Sequence, residues 1–171
     1  ARDRYGAYWA RTYSGFPGFS SWIFIGGVFA SDPSITAIGS TFYITGRDRY
    51  NSVWVASYTV GATPALTWQS LGGIVTGKPS IGPGPAGPIV TARDAAWGYY
   101  VWSSGVWQRM PGLTGVDPIV LANTTATAYL AFLDQWSTLY YLPLTVTQTG
   151  VTPGSLATAG TFVDFSPTYY S

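Results

Sequence analysis

The chain contains no cysteine, no histidine and no glutamate, and its only lysine is Lys78. The missing cysteine excludes disulfides and thiol nucleophiles, and the missing histidine removes the commonest general base and metal ligand. Aspartate is left as the only acidic side chain, and glycoside hydrolysis needs a juxtaposed pair of carboxylates. We therefore predict a protein that is not an enzyme, with no cofactor, no catalytic residue and no metal site.

Charge is also scarce. Only 9% of the residues are charged and the net charge is +1, so no basic stripe can neutralise phosphates and no nucleic-acid partner is expected. No apolar run reaches the roughly 18–20 residues that a membrane helix needs, which predicts no membrane insertion. A surface rich in Ser, Thr, Tyr and Trp but poor in Lys and Glu favours an extracellular location or the surface of a cell or virion.

The residues that are abundant belong to strands and turns. The 171 residues include 21 Gly, 12 Pro, 13 Tyr and 8 Trp. Aromatic side chains favour strands, whereas the typical surface residues of helices are rare here. The length suits one domain. These features predict a single all-β domain over residues 1–171.

Three sequence markers recur in a fixed order, which indicates an internal repeat. A strand ending in Asp is found at Ala1–Asp3, Thr45–Asp48, Thr91–Asp94 and Ala131–Asp134. A Trp followed shortly by a glycine break is found at Trp22–Gly27, Trp68–Gly73 and Trp107–Leu113. A proline opening the next unit is expected at Pro33, Pro79, Pro118 and Pro153. The repeat unit is therefore roughly 40–46 residues long, as in blade repeats.

Each unit predicts four short strands, and in the second unit these are Ser34–Ile38, Phe42–Thr45, Val53–Tyr58 and Thr67–Leu71. Sheets of this kind that pack against one another form a β-propeller. We expect about four blades of four antiparallel strands: blade remnants in 1–33, blades in 34–79, 80–118 and 119–153, and closing strands in 154–171.

The two ends of the chain look like complementary half-units. Ala7–Thr12 and Trp22–Ile25 match late strands, whereas Ser155–Ala159 and Thr161–Ser166 match early ones, with Phe162 placed like Phe42. Pairing the termini in one sheet would close the ring and remove exposed sheet edges. We expect closure within one chain, with a larger ring built from two chains as the alternative.

The segment Trp68–Gly73 followed by Pro79 resembles the repeats of the PLL-like bacterial lectins, which are fucose-binding β-propellers. The pairs Asp32-Pro33 and Asp117-Pro118 fit the same pattern, and the match covers most of the chain. The fourth unit departs from it, with Leu144–Gly150 in place of the Trp-Gly-Gly element, and Gly-Arg-Asp or Ala-Arg-Asp replaces Arg-Gly-x-Asp. The resemblance implies a propeller that binds sugars between its blades.

The repeated Trp and Asp residues can each be interpreted in two ways. Trp22, Trp68 and Trp107 could pack between blades or offer their faces to sugar rings. The polar side chains that could bind sugar hydroxyls are Arg47, Asp48, Arg93, Asp94 and Asp134. Asp residues at this place are also expected to cap turns, and an Arg beside an Asp often forms a surface ion pair. Trp54, Tyr100, Trp102, Trp136 and Tyr140 are expected to lie mostly in the core.

Two functions from different classes fit these observations. The first is a non-catalytic, lectin-like propeller that binds glycans or glycoconjugates between blades for surface attachment. The second is a structural module of a filament, virion or surface layer that associates with other copies of itself through exposed aromatics. Low charge with few Lys and Glu residues leaves little to oppose such association.

Overall fold

The computed structural model describes residues 1–13, 15, 18–59, 66–122 and 127–161. All regular elements in this part of the chain are strands, which confirms the all-β prediction. The described residues form no helix long and apolar enough to cross a bilayer. Fifteen strands are arranged in four antiparallel sheets, which we number I to IV in chain order.

Sheets II and III are four-stranded meanders in which each strand pairs with the next one along the chain. Sheet I holds two strands, β1 (Tyr8–Ala10) and β2 (Ile23–Gly26). Sheet II contains β3 (Ser34–Ile38), β4 (Thr41–Arg47), β5 (Val53–Thr59) and β6 (Gln69–Gly72). Sheet III contains β7 (Ser80–Gly84), β8 (Gly87–Arg93), β9 (Tyr99–Ser103) and β10 (Val106–Arg109). The four strands predicted for the second unit are thus observed, with small changes at their ends.

Sheet IV is five-stranded and differs from the prediction. It contains β11 (Ile119–Ala122), β12 (Thr127–Leu133), β13 (Thr138–Thr147), β14 (Gly150–Pro153) and β15 (Ala157–Thr161). Strand β14 covers only the second half of the ten-residue β13, and β15 pairs with its open first half. Pro153 therefore ends a hairpin inside sheet IV, and the prediction that it opens a new unit is wrong.

The strand at the end of the described chain also has a different role from the one predicted. In β15, Gly160 lies opposite Leu139, just as Gly72 of β6 lies opposite Val53, five residues after the Asp of each unit. Ala157–Thr161 is thus the fourth strand of sheet IV, and the prediction of an early strand at Ser155–Ala159 is wrong. Phe162 and the rest of the predicted closing segment, as far as residue 171, lie outside the described residues.

Three hydrophobic clusters hold the four sheets together, one for each pair of neighbours. Tyr8, Ile25, Phe29 and Ile44 form the cluster between sheets I and II. The cluster between sheets II and III includes Val53, Leu71, Ile81 and Val90. The largest cluster joins sheets III and IV and includes Tyr99, Val101, Leu130, Phe132 and Leu142. Sheets II and III are consequently apolar on both faces, since each contributes to two clusters.

Polar bonds repeat at the same places between the sheets. The segment that follows the last strand of sheet I or sheet II donates backbone N–H groups to the next sheet, from Ala30 to Arg47 O and from Thr76 to Arg93 O. The first strands of successive sheets also meet: Ile81 N donates to Ser34 Oγ at 3.2 Å, and Val120 N donates to Ser80 Oγ at 3.1 Å. Neighbouring sheets therefore keep one relative arrangement along the chain.

Candidate functional site

The four repeated Asp residues each organise a tight turn, which lies between the second and third strands of sheets II, III and IV and just before β1 in sheet I. In every turn, Asp Oδ1 accepts the backbone N–H groups found two and four residues further on, at 2.8–3.0 Å. The residue three positions after the Asp adopts a left-handed conformation, with φ of 86°, 69°, 66° and 64° at Gly6, Asn51, Trp97 and Ser137. These are the bonds expected of a turn-capping Asp.

The second carboxylate oxygen is also engaged in the first three turns. Oδ2 accepts a hydrogen bond from the aromatic residue six positions later: Trp9 Nε1 donates to Asp3 at 2.9 Å and Trp54 Nε1 to Asp48 at 2.8 Å. In the third turn, Tyr100 Oη lies 3.0 Å from Asp94 Oδ2. The bond from Trp9 is the largest cause of a lowered pKa at Asp3. These carboxylates are therefore committed to the turn, and a ligand would find few of their lone pairs free.

Arg47 and Arg93 bind the connecting segments and not the neighbouring Asp. Arg47 Nε donates to Gly77 O at 3.0 Å. Arg93 Nε lies 2.9 Å from Asp117 Oδ1, in the loop before sheet IV. The expected pairing of each Arg with the adjacent Asp is therefore wrong, because the two side chains leave opposite faces of the strand end.

The three repeated Trp residues divide into two environments. Trp68 donates from Nε1 to Ile25 O at 3.3 Å, and Trp107 donates to Leu71 O at 2.8 Å. Both are partly buried against the clusters between sheets, as the packing interpretation predicts. Trp22 occupies the same position in sheet I, yet it is 49% exposed and stacks with the guanidinium of Arg11 at 4.7 Å.

Two clefts open between neighbouring sheets beside these turns. Cleft A, between sheets I and II, has a volume of about 390 Å³. Its lining includes the turn residues Asp48, Arg49 and Tyr50 together with Trp54 and Trp68. Cleft B, between sheets III and IV, has a volume of about 370 Å³. Its lining includes Asp134, Gln135, Trp136, Tyr140 and Leu156.

The two clefts are equivalent in the repeat, position by position. Asp48 corresponds to Asp134, and the next two turn residues, Arg49-Tyr50, correspond to Gln135-Trp136. The junction between sheets II and III has Ala95 and Ala96 at these positions, so its turn lacks the side chains that line the other two. The repeat thus produces two aromatic clefts of the same design with different polar groups.

Exposed aromatic rings and polar side chains stand together in both clefts. Tyr50 and Trp136 are each 71% exposed, which corrects the prediction that Trp136 lies in the core. Arg49 lies 4.8 Å above the ring of Tyr50 and donates to its hydroxyl at 2.7 Å. A ring face with adjacent hydrogen-bonding groups can bind a ligand that has one apolar face and several hydroxyls.

The structure brings only part of the predicted set together. Cleft A contains Asp48 and Trp68, and cleft B contains Asp134, whereas Arg47 and Arg93 bind loops and Trp107 lies at an inter-sheet junction. The sequence did not predict that the turn residues Arg49, Tyr50, Gln135 and Trp136 line the clefts. Their constant offset from the Asp marker was the available signal, but their side chains differ from unit to unit. Among the described residues, a single carboxylate lines each cleft.

The chain matches no family model. No curated protein matches it either.

Proposed function

We propose that the chain is a non-catalytic carbohydrate-binding module that holds sugars in the clefts between its sheets. The observation that carries this proposal is the repetition of one aromatic cleft at two equivalent junctions. In each, a largely exposed ring stands next to a hydrogen-bonding side chain, Arg49 beside Tyr50 and Gln135 beside Trp136. Pyranose rings have an apolar C–H face and a hydroxyl-rich rim, which suits both groups.

The sheets are, in this proposal, blades of a β-propeller similar to those of the PLL-like lectins. The order of packing supports this part of the proposal, because each described sheet packs against its neighbours in the chain. The first strands of successive sheets are also hydrogen-bonded to each other through Ser34 and Ser80. Inter-blade clefts are then the natural sites for ligands. An extracellular or surface location, with glycans or glycoconjugates as partners, belongs to the same proposal.

The test combines a glycan array with titration of the best sugar against cleft variants. Tyr50→Ala and Trp136→Ala should each weaken binding at one cleft by about tenfold, as expected for the loss of a stacking ring. Tyr13→Ala is the control, because Tyr13 is 60% exposed and lies outside both clefts, whereas Tyr5 has the turn position that would line a further cleft if a neighbouring sheet covered sheet I. Absence of binding to any glycan on the array, or unchanged affinity in the double cleft variant, would refute the proposal.

A second candidate is supported by a separate observation. The outer faces of sheets I and IV expose several large apolar side chains, among them Trp22, Phe24, Tyr129 and Tyr141. Exposed apolar patches commonly mark protein–protein contacts. The chain would then act as a structural module that assembles with other copies of itself.

A further inference from the structure

The junctions between sheets follow a rule that can be extended to the outer sheets. At both junctions described above, a Trp at the start of the last strand donates its indole N–H to the preceding sheet: Trp68, just before β6, to Ile25 O, and Trp107, in β10, to Leu71 O. Each acceptor residue directly precedes the glycine that ends the last strand of its sheet, Gly26 in sheet I and Gly72 in sheet II.

The acceptor carbonyl is available because its residue lies in a bulge. In sheet II, Val53 pairs with Gly72 and Trp54 with Ser70, so Leu71 is the extra residue between them. The same shift occurs around Ile25 in sheet I. It occurs again in sheet IV, where Leu139 pairs with Gly160 and Tyr140 with Thr158, which leaves Ala159 as the extra residue. Ala159 is therefore the equivalent of Ile25 and Leu71 in the last sheet.

Sheet I presents the donor half of this junction to solvent. Trp22 occupies the position of Trp68 and Trp107, and its indole N–H has no hydrogen-bond partner among the described residues. Phe24 is 60% exposed and lies edge-on to Trp9 at 5.0 Å, on the face opposite to the buried Ile25. Arg11 stacks against Trp22 on this face, and Arg2 and Asp3 line a pocket with Trp9 and Trp22. The outer face of sheet I is thus an unpartnered donor face.

Sheet IV presents the acceptor half. The residues five and seven positions after each Asp are buried at the internal junctions, as Tyr99 and Val101 are with 0% exposure. In sheet IV these positions are Leu139 and Tyr141, on the face turned away from sheet III, and Tyr141 is 37% exposed. Tyr129 lies beside Tyr141 on this face, with ring centroids 6.3 Å apart. Among the described residues, the outer face of sheet IV is thus an unpartnered acceptor face.

We propose that the acceptor face of one molecule docks on the donor face of a second copy, with Trp22 Nε1 donating to Ala159 O across the contact. Both faces are exposed in the same molecule, so neither covers the other in the described structure. They are chemically the two halves of a junction that the chain already builds internally. Such a head-to-tail contact repeats until it closes a ring or extends as a filament. This inference gives the assembly candidate a defined surface and is independent of sugar binding.

Engineered cysteines test the direction of the contact, because the chain has no cysteine of its own. We expect a mixture of the single variants Phe24→Cys and Ala159→Cys, joined by a short bifunctional maleimide, to give a covalent dimer, and each variant alone to give almost none. Dimers of either variant alone in equal yield would show a different, symmetric contact and overturn the proposal. In the double variant, a cross-link confined to the monomer would show closure within one chain and overturn it as well.

Sedimentation of the unlabelled protein gives the second arm. Trp22→Ala should weaken self-association by at least about tenfold, as for the loss of a central interface Trp. Trp136→Ala is the matched control and should leave association unchanged, since Trp136 is exposed in cleft B. A monomeric parent protein, or equal association of the two variants, would overturn the proposal. Titration of Trp22→Ala with sugar tests the carbohydrate proposal separately, because Trp22 lines neither cleft A nor cleft B.

Discussion

The left-handed residue in each Asp turn allows the same substitution to be compared at three equivalent places. Asn51, Trp97 and Ser137 all have φ between 64° and 69°, a region that glycine enters without steric cost. Replacing each by glycine should nevertheless change the free energy of unfolding by different amounts. The difference arises from what each side chain contacts in the folded protein.

Ser137→Gly should stabilise the fold. A non-glycine residue in the left-handed region costs about 1–2 kcal/mol of strain, which the substitution removes. The greater entropy of glycine in the unfolded chain offsets about 0.5–1 kcal/mol of this gain. The net gain is about 0.5–1 kcal/mol, or a rise of roughly 1–4 °C in Tm for a chain of this size.

Asn51→Gly should destabilise the fold. Asparagine tolerates the left-handed region, so little strain is released, and Asn51 Oδ1 accepts a hydrogen bond from Arg47 Nη1 at 2.6 Å. Loss of this charge-assisted bond and the added chain entropy lower the stability by about 2 kcal/mol. Trp97→Gly falls between the two, near zero, because its strain relief is offset by glycine entropy and by loss of the Arg93 contact over its ring, at 5.2 Å.

The assay is equilibrium unfolding in urea followed by far-ultraviolet circular dichroism, with unchanged m-values as the condition for comparing midpoints. The order of stability should be Ser137→Gly above the parent protein, Trp97→Gly close to it and Asn51→Gly below it. An equal shift for all three variants would mean that backbone strain alone decides the outcome. A stabilised Asn51→Gly would mean that its bond to Arg47 contributes nothing.

Two further predictions concern the buried tyrosines. Gly46→Ala should destabilise the junction between sheets I and II by about 1–3 kcal/mol, because the new methyl group would overlap the hydroxyl and ring of Tyr8; a thermal melt equal to that of the parent protein would contradict this. Burial raises the pKa of Tyr8 and of Tyr99 to about 12, so both stay neutral in the folded protein while their unfolded counterparts ionise near pH 10. Stability that is fully present below pH 10 should therefore fall as the pH rises towards 12, and Tyr99→Phe should flatten the alkaline part of the Tm profile; an unchanged profile in this variant would contradict the reasoning.

Local patterns were sufficient to predict the four strands of the second unit. The alternation in Val53–Thr59 and the turn residues on either side gave the second unit correctly, because they depend on neighbours in the sequence. Sheet IV could not be predicted in the same way. Its third strand is ten residues long and carries an extra hairpin, and Leu156 replaces the Trp that marks the fourth strand elsewhere. Without that marker, the sequence of β15 resembles the first strand of another unit.

The candidate site was predicted in part for a related reason. The Asp marker locates the turns, and the turns carry the aromatic residues that line the clefts. The partners of Arg47 and Arg93 depend on where distant loops return, so no local pattern contains them. Tyr50, Ala96 and Trp136 occupy the same position after the Asp marker but are three different residue types. The repeat pattern of identical residues therefore does not include them.

The chain-order packing of the sheets has a consequence for how the protein opens. Each hydrophobic cluster joins only adjacent sheets, so stability is distributed as a series of nearest-neighbour terms. Sheet III contributes to the two larger clusters, whereas the two-stranded sheet I contributes only to the smallest one. Backbone amides should therefore exchange with solvent in a gradient along the chain, fastest in β1 and β2 and slowest in β8 and β9. Docking of a second copy on the donor face would slow exchange first at the end where the isolated molecule opens most easily.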